Sequence, residues 1–312
     1  MLVVVALGGN ALLRRNEPLE LDVQQRNLRA AVAAVAELAR AHDLVVTHGN
    51  GPQVGLLALQ AAAYGANRPY PLDVLVAESE GMIGYLLEQE LTALLPGRAI
   101  ATLLTQVEVD PADPAFSAPS KPIGPVYEET EARRLALERS WTIVRDGEGY
   151  RRAVASPAPH RIREMTAIKL LVQAGAIVIC SGGGGIPVVA SRGVVRGVEA
   201  VIDKDLSAAL LAEEIGAAAL LLLTDVAAVW TRWREPDGRP IARASPAQLR
   251  ALPFAPGSMG PKVEAACRFV ERTGGLAGIG RIDQAAGILE GAAGTIVRAE
   301  VGPLEYRADP RV

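Results

Sequence analysis

The chain has 312 residues, half of them apolar, a formal net charge of −3 and two cysteines, enough apolar material for one large or two medium domains with a real core. That charge, together with 4% aromatic residues, argues against an extended nucleic-acid footprint or a base-stacking platform. Cys180 and Cys267 lack metal or disulfide spacing, no charged-plus-apolar leader precedes the first apolar run, and no run is long enough to span a bilayer. The expectation is a cytoplasmic protein without a membrane partner.

In chain order, Leu2 to Leu7 is a β-rich run without alternation, the pattern of a parallel strand buried on both faces. Gly8-Gly9-Asn10 ends it. Leu21 to Ala41 has apolar residues at helical spacing, and Leu44 to Thr47 is a second short strand, ending in His48-Gly49-Asn50-Gly51-Pro52-Gln53. Strand, glycine turn, helix, strand, glycine turn is the grammar of a parallel α/β sheet whose ligand lies beyond the strand C-termini. Asp73 to Leu95 reads as a long helix in which Glu78-Ser-Glu-Gly-Met-Ile-Gly84 suits close packing against another helix or a second subunit, and Ile100 to Val107 as a further strand.

From Asp110 to about Pro159 prolines punctuate the chain. Trp141 to Tyr150 holds two extended runs around an Asp-Gly turn, hence a hairpin. This section is expected to leave the main sheet as a small lid carrying Lys121-Pro-Ile-Gly-Pro125. Ala176 to Cys180 is a buried strand followed by Ser181 and four glycines, and Asp203, Lys204 and Asp205 stand just before a helix expected from about Leu206 to Ile215. Ala219 to Thr224 is another strand, ending in Asp225, and a polar passage containing Gly and Pro follows to about Pro246. Phe254 to Lys262 leads into an amphipathic helix through Arg272, with Pro261 suited to its first turn. Leu276 to Ile279, a helical run Ile282 to Leu289, and Thr295 to Val297 close the chain.

Lysine usage narrows the chemistry. Of the 32 Lys and Arg residues only Lys121, Lys169, Lys204 and Lys262 are lysines, so a lysine off a helix face is a candidate for a role needing a compact point charge. Only Lys169 fits an amphipathic helix; the others adjoin Gly, Pro or Asp. Glycine turns, helix starts and scattered ammonium groups suit direct phosphoryl transfer, in which positioning and charge neutralisation dominate. The dinucleotide fingerprint fails because Pro187 stands where its third glycine belongs, and Gly257 to Lys262 misses the P-loop spacing. The histidines His42, His48 and His160 form no zinc pair, and no G-x-S-x-G elbow is present. Asp203 is open to two readings, a helix cap or a ligand contact.

Ala6-Leu-Gly-Gly-Asn-Ala11, Thr47-His-Gly-Asn-Gly-Pro-Gln53, Lys121-Pro-Ile-Gly-Pro125, Cys180-Ser-Gly-Gly-Gly-Gly-Ile-Pro187, Val201-Ile-Asp-Lys-Asp205, Leu223-Thr-Asp-Val226 and Gly257-Ser-Met-Gly-Pro-Lys262 resemble, in order and along the whole chain, the carbamate kinases of the amino-acid kinase superfamily. The resemblance implies transfer between ATP and carbamate giving ADP and carbamoyl phosphate, with Mg2+, a homodimer, and a usual direction toward ATP in arginine or nitrogen catabolism. By that resemblance Gly8, Gly9 and Asn10 receive the transferring phosphoryl group, and Gly49, Asn50 and Gly51 approach carbamate. Lys121, Lys204, Asp205 and Lys262 form the catalytic set, with Asp205 organising the lysines. Asp203, Lys204, Asp225, Met259 and Lys262 lie toward the nucleotide, and no side chain is assigned as a metal ligand. One departure from the wider superfamily is Ala6, where acetylglutamate kinase-like members have a lysine; Lys121 is the expected substitute. His48 is read as a hydrogen-bonded loop residue, since carbamate already carries a nucleophilic oxygen.

The expected fold is α/β, an open, mainly parallel sheet sandwiched by helices, amino-acid kinase-like, with a small protruding lid. Residues 1–206 would bind the acceptor, with the lid at about 110–160, and residues 207–312 the nucleotide. Two competing functions are a related kinase acting on another small carboxylate and a nucleotide-binding sensor without turnover.

Overall fold

The computed structural model describes residues 1–9, 13, 17–64, 70–233, 235–254 and 259–308. Asn10, Ala11, Gly257 and Ser258 of the motifs above lie outside the described residues. Among those described, the centre is a nine-stranded sheet in the spatial order Glu305–Tyr306, Ile241–Ala244, Thr295–Val297, Leu276–Arg281, Ala219–Thr224, Leu2–Leu7, Asp43–His48, Ile177–Ile179, Ile100–Thr102. From Leu276–Arg281 across to Ile100–Thr102 every neighbour pair is parallel. Register aligns Leu7 with both Leu223 and His48, so these strands end level with one another. Antiparallel pairs occur only toward the other edge, at Thr295–Val297 and Glu305–Tyr306.

The absence of alternation in the central strands has its cause here: Val3, Val4, Val5 and Ala6 are all fully buried. Odd members face one apolar layer and even members the other. Val3, Val5 and Leu7 pack with Leu28, Val32 and Val35 of the helix Leu21–Ala39 and with Ile83 and Leu87 of the helix Leu72–Leu94. Val4 and Ala6 pack with Ala208 and Leu211 of the helix Lys204–Ile215 and with Ala266 and Phe269 of the helix Met259–Thr273. The sheet runs unbroken through both halves of the chain, and residue 206 lies inside the helix Lys204–Ile215.

Two smaller sheets stand off this body. Gln106–Val109 and Pro159–Ile162 pair with each other and, through Gln106–Val109, with Ile186–Ser191, which also pairs with Val194–Gly197. They form the feet of the lid. The lid itself is a three-stranded sheet, Lys121–Tyr127, Gly149–Val154 and Thr142–Asp146. Its hairpin turns at Gly147, whose φ of +65° is the left-handed value such a turn needs. A helix, Glu129–Arg139, crosses the lid. The sequence reading passed over it because only Ala132 and Leu135 are buried. Its support is Arg133–Glu129 and Arg134–Glu138 pairing one turn apart, a pattern that stabilises exposed helices.

Two further expectations are corrected. The single strand Ile100 to Val107 is two strands in different sheets, because Thr105 diverts its polar groups: its hydroxyl accepts from Ser181 N at 3.0 Å and its amide donates to Glu80 at 3.1 Å. Side-chain bonds of this kind compete with a ladder. The polar passage after Thr224 contains a strand, Ile241–Ala244, too short to show a period. Of the small residues in Glu78 to Gly84, Gly84 meets the neighbouring strand, where a Cβ would lie 2.3 Å from Thr102 Cγ2, while Ile83 beside it packs with Leu28 and Val32 of the helix Leu21–Ala39.

Candidate active site

Four strand ends meet on one rim: Leu7 runs into Gly8 and Gly9, His48 into Gly49, Ile179 into the glycine turn after Ser181, and Thr224 into Asp225. Gly8 prolongs the sheet by donating to Leu223 O at 2.8 Å, and a Cβ there would lie 2.9 Å from that oxygen. A Cβ on Gly9 would meet nothing within 4 Å, whereas one on Gly49 would lie 3.1 Å from Gly9 N. Two helices start on this rim, Gly51–Tyr64 and Lys204–Ile215, and helix starts present free amides and a partial positive charge to anions.

Asp203 caps the second of these helices, its Oδ1 accepting from Asp205 N at 2.9 Å and Leu206 N at 3.2 Å. The helix therefore begins at Lys204 rather than Leu206, and Lys204 and Asp205 occupy its first turn. Oδ2 of Asp203 receives the lid: Lys121 Nζ lies 3.1 Å away and also 3.3 Å from Ile202 O. The cap reading of Asp203 is thus realised, and its second oxygen is taken by the lid lysine. Lys121 is the first residue of the lid strand, and the strand is brought down by a backbone contact, since a Cβ on Gly55 would lie 2.4 Å from Gly124 Cα.

Asp205 is the centre of the cluster. Lys204 Nζ lies 2.5 Å from its Oδ1 and Lys262 Nζ 3.0 Å from its Oδ2. Lys262 comes from the first turn of the helix Met259–Thr273, with Met259 its first residue. Burial alone would push the Asp205 carboxyl up, but Lys204 and Lys262 hold it well below the usual carboxylate range. Burial depresses Lys204, and Asp205 opposes that shift. The triad is two cations on one buried anion, a net positive charge at the starts of two helices, which is a site for an anion. Asp225 lies exposed at the end of its strand, accepting from the Thr224 hydroxyl at 3.1 Å.

Asn50 is buried and its amide donates to Ser79 Oγ at 2.8 Å, while Gly51 opens the helix behind it. His48 is the last residue of a strand rather than part of a loop, its Nδ1 lying 3.2 Å from Gly49 O. Burial, with a contribution from Lys204, brings its pKa down to about 4, so it is neutral near pH 7. Among the described residues no group of three or more His, Cys, Asp and Glu is arranged to hold a metal. No helix among them is long and apolar enough to cross a membrane. Lys169, by contrast, sits exposed on the helix Met165–Gln173, away from the cluster.

Sequence reasoning missed Glu80, which reaches the same rim from behind. It is 1% exposed, accepts from Gly182 N at 2.8 Å and Thr105 N at 3.1 Å, and burial pushes its carboxyl up to about 8. The available signal was its place on the apolar stripe Leu72, Val76, Ile83, Leu87, where a carboxylate is out of keeping with its neighbours.

The amino acid kinase family model matches residues 1–277. A carbamate kinase of Rhizobium meliloti is 51% identical over 99% of this chain and 97% of its own length. One from Haemophilus influenzae is 52% identical over 99% of this chain and all of its own. Among solved structures, carbamate kinase from Giardia lamblia bound to AMP-PNP superposes with a TM-score of 0.87 at 39% identity, covering 95% of this chain and 98% of that one.

Proposed function

The chain belongs to the amino acid kinase family, among its carbamate kinases, and from that membership we propose how the rim performs the reaction. The activity is reversible phosphoryl transfer between ATP and carbamate, giving ADP and carbamoyl phosphate. A carbamate oxygen attacks the γ-phosphorus, the bond from phosphorus to the β,γ-bridging oxygen breaks, and ADP leaves; no proton has to be removed from the nucleophile. A neutral, buried His48 agrees with that economy. Carbamate lies by the Gly49, Asn50 and Gly51 turn, and the transferring group lies over Gly8 and Gly9, with Asn10 following them in the sequence. Lys204 and Lys262 neutralise phosphate oxygens, and Asp205 keeps their ammonium groups from repelling one another. Lys121 brings a third charge from the lid. The nucleotide extends toward Asp225 and Met259, so residues up to about 206 serve mainly the acceptor and later residues the nucleotide.

A kinase that uses ATP is consistent with a need for a divalent cation, and we assign Mg2+. Both carboxylates of the cluster are engaged by lysines, which fits a cation that arrives on the nucleotide's phosphates and retains its waters. When bound it supplies further neutralisation of the phosphate oxygens. We further read the enzyme as a cytoplasmic homodimer, without nucleic-acid or membrane partners, running toward ATP in arginine or nitrogen breakdown.

The observation that supports this reading most is the Lys204–Asp205–Lys262 triad, buried on a rim of backbone amides, with Lys121 one carboxylate away. Purified protein given Mg-ADP and carbamoyl phosphate is expected to form ATP in a coupled assay. ATP formation from acetyl phosphate but not carbamoyl phosphate would instead assign another acceptor, and nucleotide binding without turnover would make it a sensor.

A further inference from the structure

Glu80 lies on the buried stripe of the helix Leu72–Leu94 with apolar neighbours one turn away on each side. Its Oε1 takes the amide of Gly182 at 2.8 Å and its Oε2 that of Thr105 at 3.1 Å. The residue before it, Ser79, is also buried; its Oγ accepts from Asn50 Nδ2 at 2.8 Å and donates to Val76 O at 2.8 Å. Two consecutive residues of one helix thereby hold three segments: the turn after His48, the turn after Cys180, and the crossing at Thr105.

These segments leave one another no slack. A Cβ on Gly182 would lie 2.3 Å from His48 Nε2 and 3.0 Å from Glu80 Cγ, and one on Gly183 2.1 Å from Asn50 Nδ2. Ser181, just ahead of them, has φ +53°, a left-handed value that a non-glycine residue adopts only when its surroundings impose it. For stability alone a carboxyl is a poor choice here. The influences on it besides burial are hydrogen bonds from Thr105 and Gly182 and the like charge of Glu164, and a buried acid without a cation is destabilising relative to an apolar residue. Two amide donors one carboxylate apart do, however, require two acceptor oxygens, which an apolar residue lacks.

We propose that Ser79 and Glu80 are positioning residues for the acceptor half of the reaction, setting the separation between the Gly49–Asn50 turn and the Ser181–Gly185 turn. The inference rests on the acceptor site proposed above. Misplacing a reacting group by about an ångström can cost on the order of a hundred-fold in rate, so supports that touch no substrate still govern the acceptor side.

The test uses full-length Glu80→Gln and Ser79→Ala with rates of ATP formation at varied carbamoyl phosphate and varied Mg-ADP, and calorimetric ADP binding. Glutamine turns an NH2 toward one of the two amide donors; alanine removes the link to Asn50 and is well tolerated in a helix. Expected is a fall in kcat/KM for carbamoyl phosphate of about ten-fold or more, with ADP affinity within about two-fold of wild type. Equal losses for both substrates, or no loss in folded protein, overturn the proposal. Should Glu80→Gln not fold, Ser79→Ala decides by the same criterion. An active wild type with unshifted variants removes only this inference, whereas an inactive wild type removes the functional reading beneath it as well.

Discussion

Lys121 of the lid and Asp203 of the body are joined at 3.1 Å through the same carboxylate that caps the helix bearing Lys204 and Asp205. A residue 82 positions away in the chain is thereby set beside the rim, and the helix start and the lid lysine share one anchor. Lys121→Ala is expected to lower the turnover of ATP formation by about a hundred-fold while ADP affinity changes by less than about three-fold. Parallel loss of ADP binding would remove the lid lysine's role. Lys169→Arg, on an exposed helix face, is the control and should leave rate and stability unchanged.

The two jobs of Asp203 separate by substitution. Asp203→Asn retains a capping oxygen and loses the charge facing Lys121, so turnover should drop with little change in thermal midpoint. Asp203→Ala loses the cap as well, costing about 1 kcal/mol. Equal midpoints for the two variants would mean that the cap does not contribute.

Asp205→Asn leaves Lys204 and Lys262 facing a neutral group. Two unpaired ammonium groups repel and one is nearly enclosed, with 12% of the Lys204 side chain exposed, so a stability loss on the order of 3 kcal/mol is expected. Turnover should fall by at least about a hundred-fold. Inorganic phosphate or ADP should recover more thermal stability in this variant than in wild type, because each supplies the missing anion. Denaturation midpoints with and without these ligands measure it.

The lid docks through Gly55 against Gly124, whose φ is +73°. Gly55→Ala puts a methyl group 2.4 Å from Gly124 Cα, backbone that cannot yield as a side chain would. An overpacking cost of about 1–3 kcal/mol should fall on lid closure, seen as faster proteolysis within residues 121–154 and slower turnover. A protease pattern identical to wild type would refute it.

Stability should pass through a maximum with pH. Glu80 binds its proton more tightly folded, at about 8 against 4.5; its contribution is complete below pH 4.5 and is lost as pH rises through 8, on the order of 3–5 kcal/mol. His48 acts in the opposite sense. Its pKa is about 4 folded against 6.5, so its contribution is present above 6.5 and lost as pH falls through 4. Urea midpoints from pH 4 to 9 should trace this dome, and Glu80→Gln should flatten the alkaline limb. An unchanged alkaline limb would show that Glu80 is ionised throughout.

The central strands, the long helices and the glycine turns were readable in the sequence because their signals are local. Val3 to Ala6 lack alternation for the same reason that all four are buried. Neighbours in the chain separate the four lysines by environment: Lys169 lies on an exposed helix face, and the other three pair with Asp203 or Asp205. The helix Glu129–Arg139 and the strand Ile241–Ala244 escaped because one buries almost nothing and the other is too short to display a period.

What the sequence determined by itself is the inventory of the rim: which strands end in glycine, which cations are lysine, and which acids stand next to them. Local propensity and composition suffice for that. That Asp203 serves Lys121 was decided only by tertiary structure, as were the break of the strand at Thr105 and the reach of Glu80 to Gly182. These depend on segments 25 to 102 residues apart, and a contact between distant segments leaves no periodic trace along the chain.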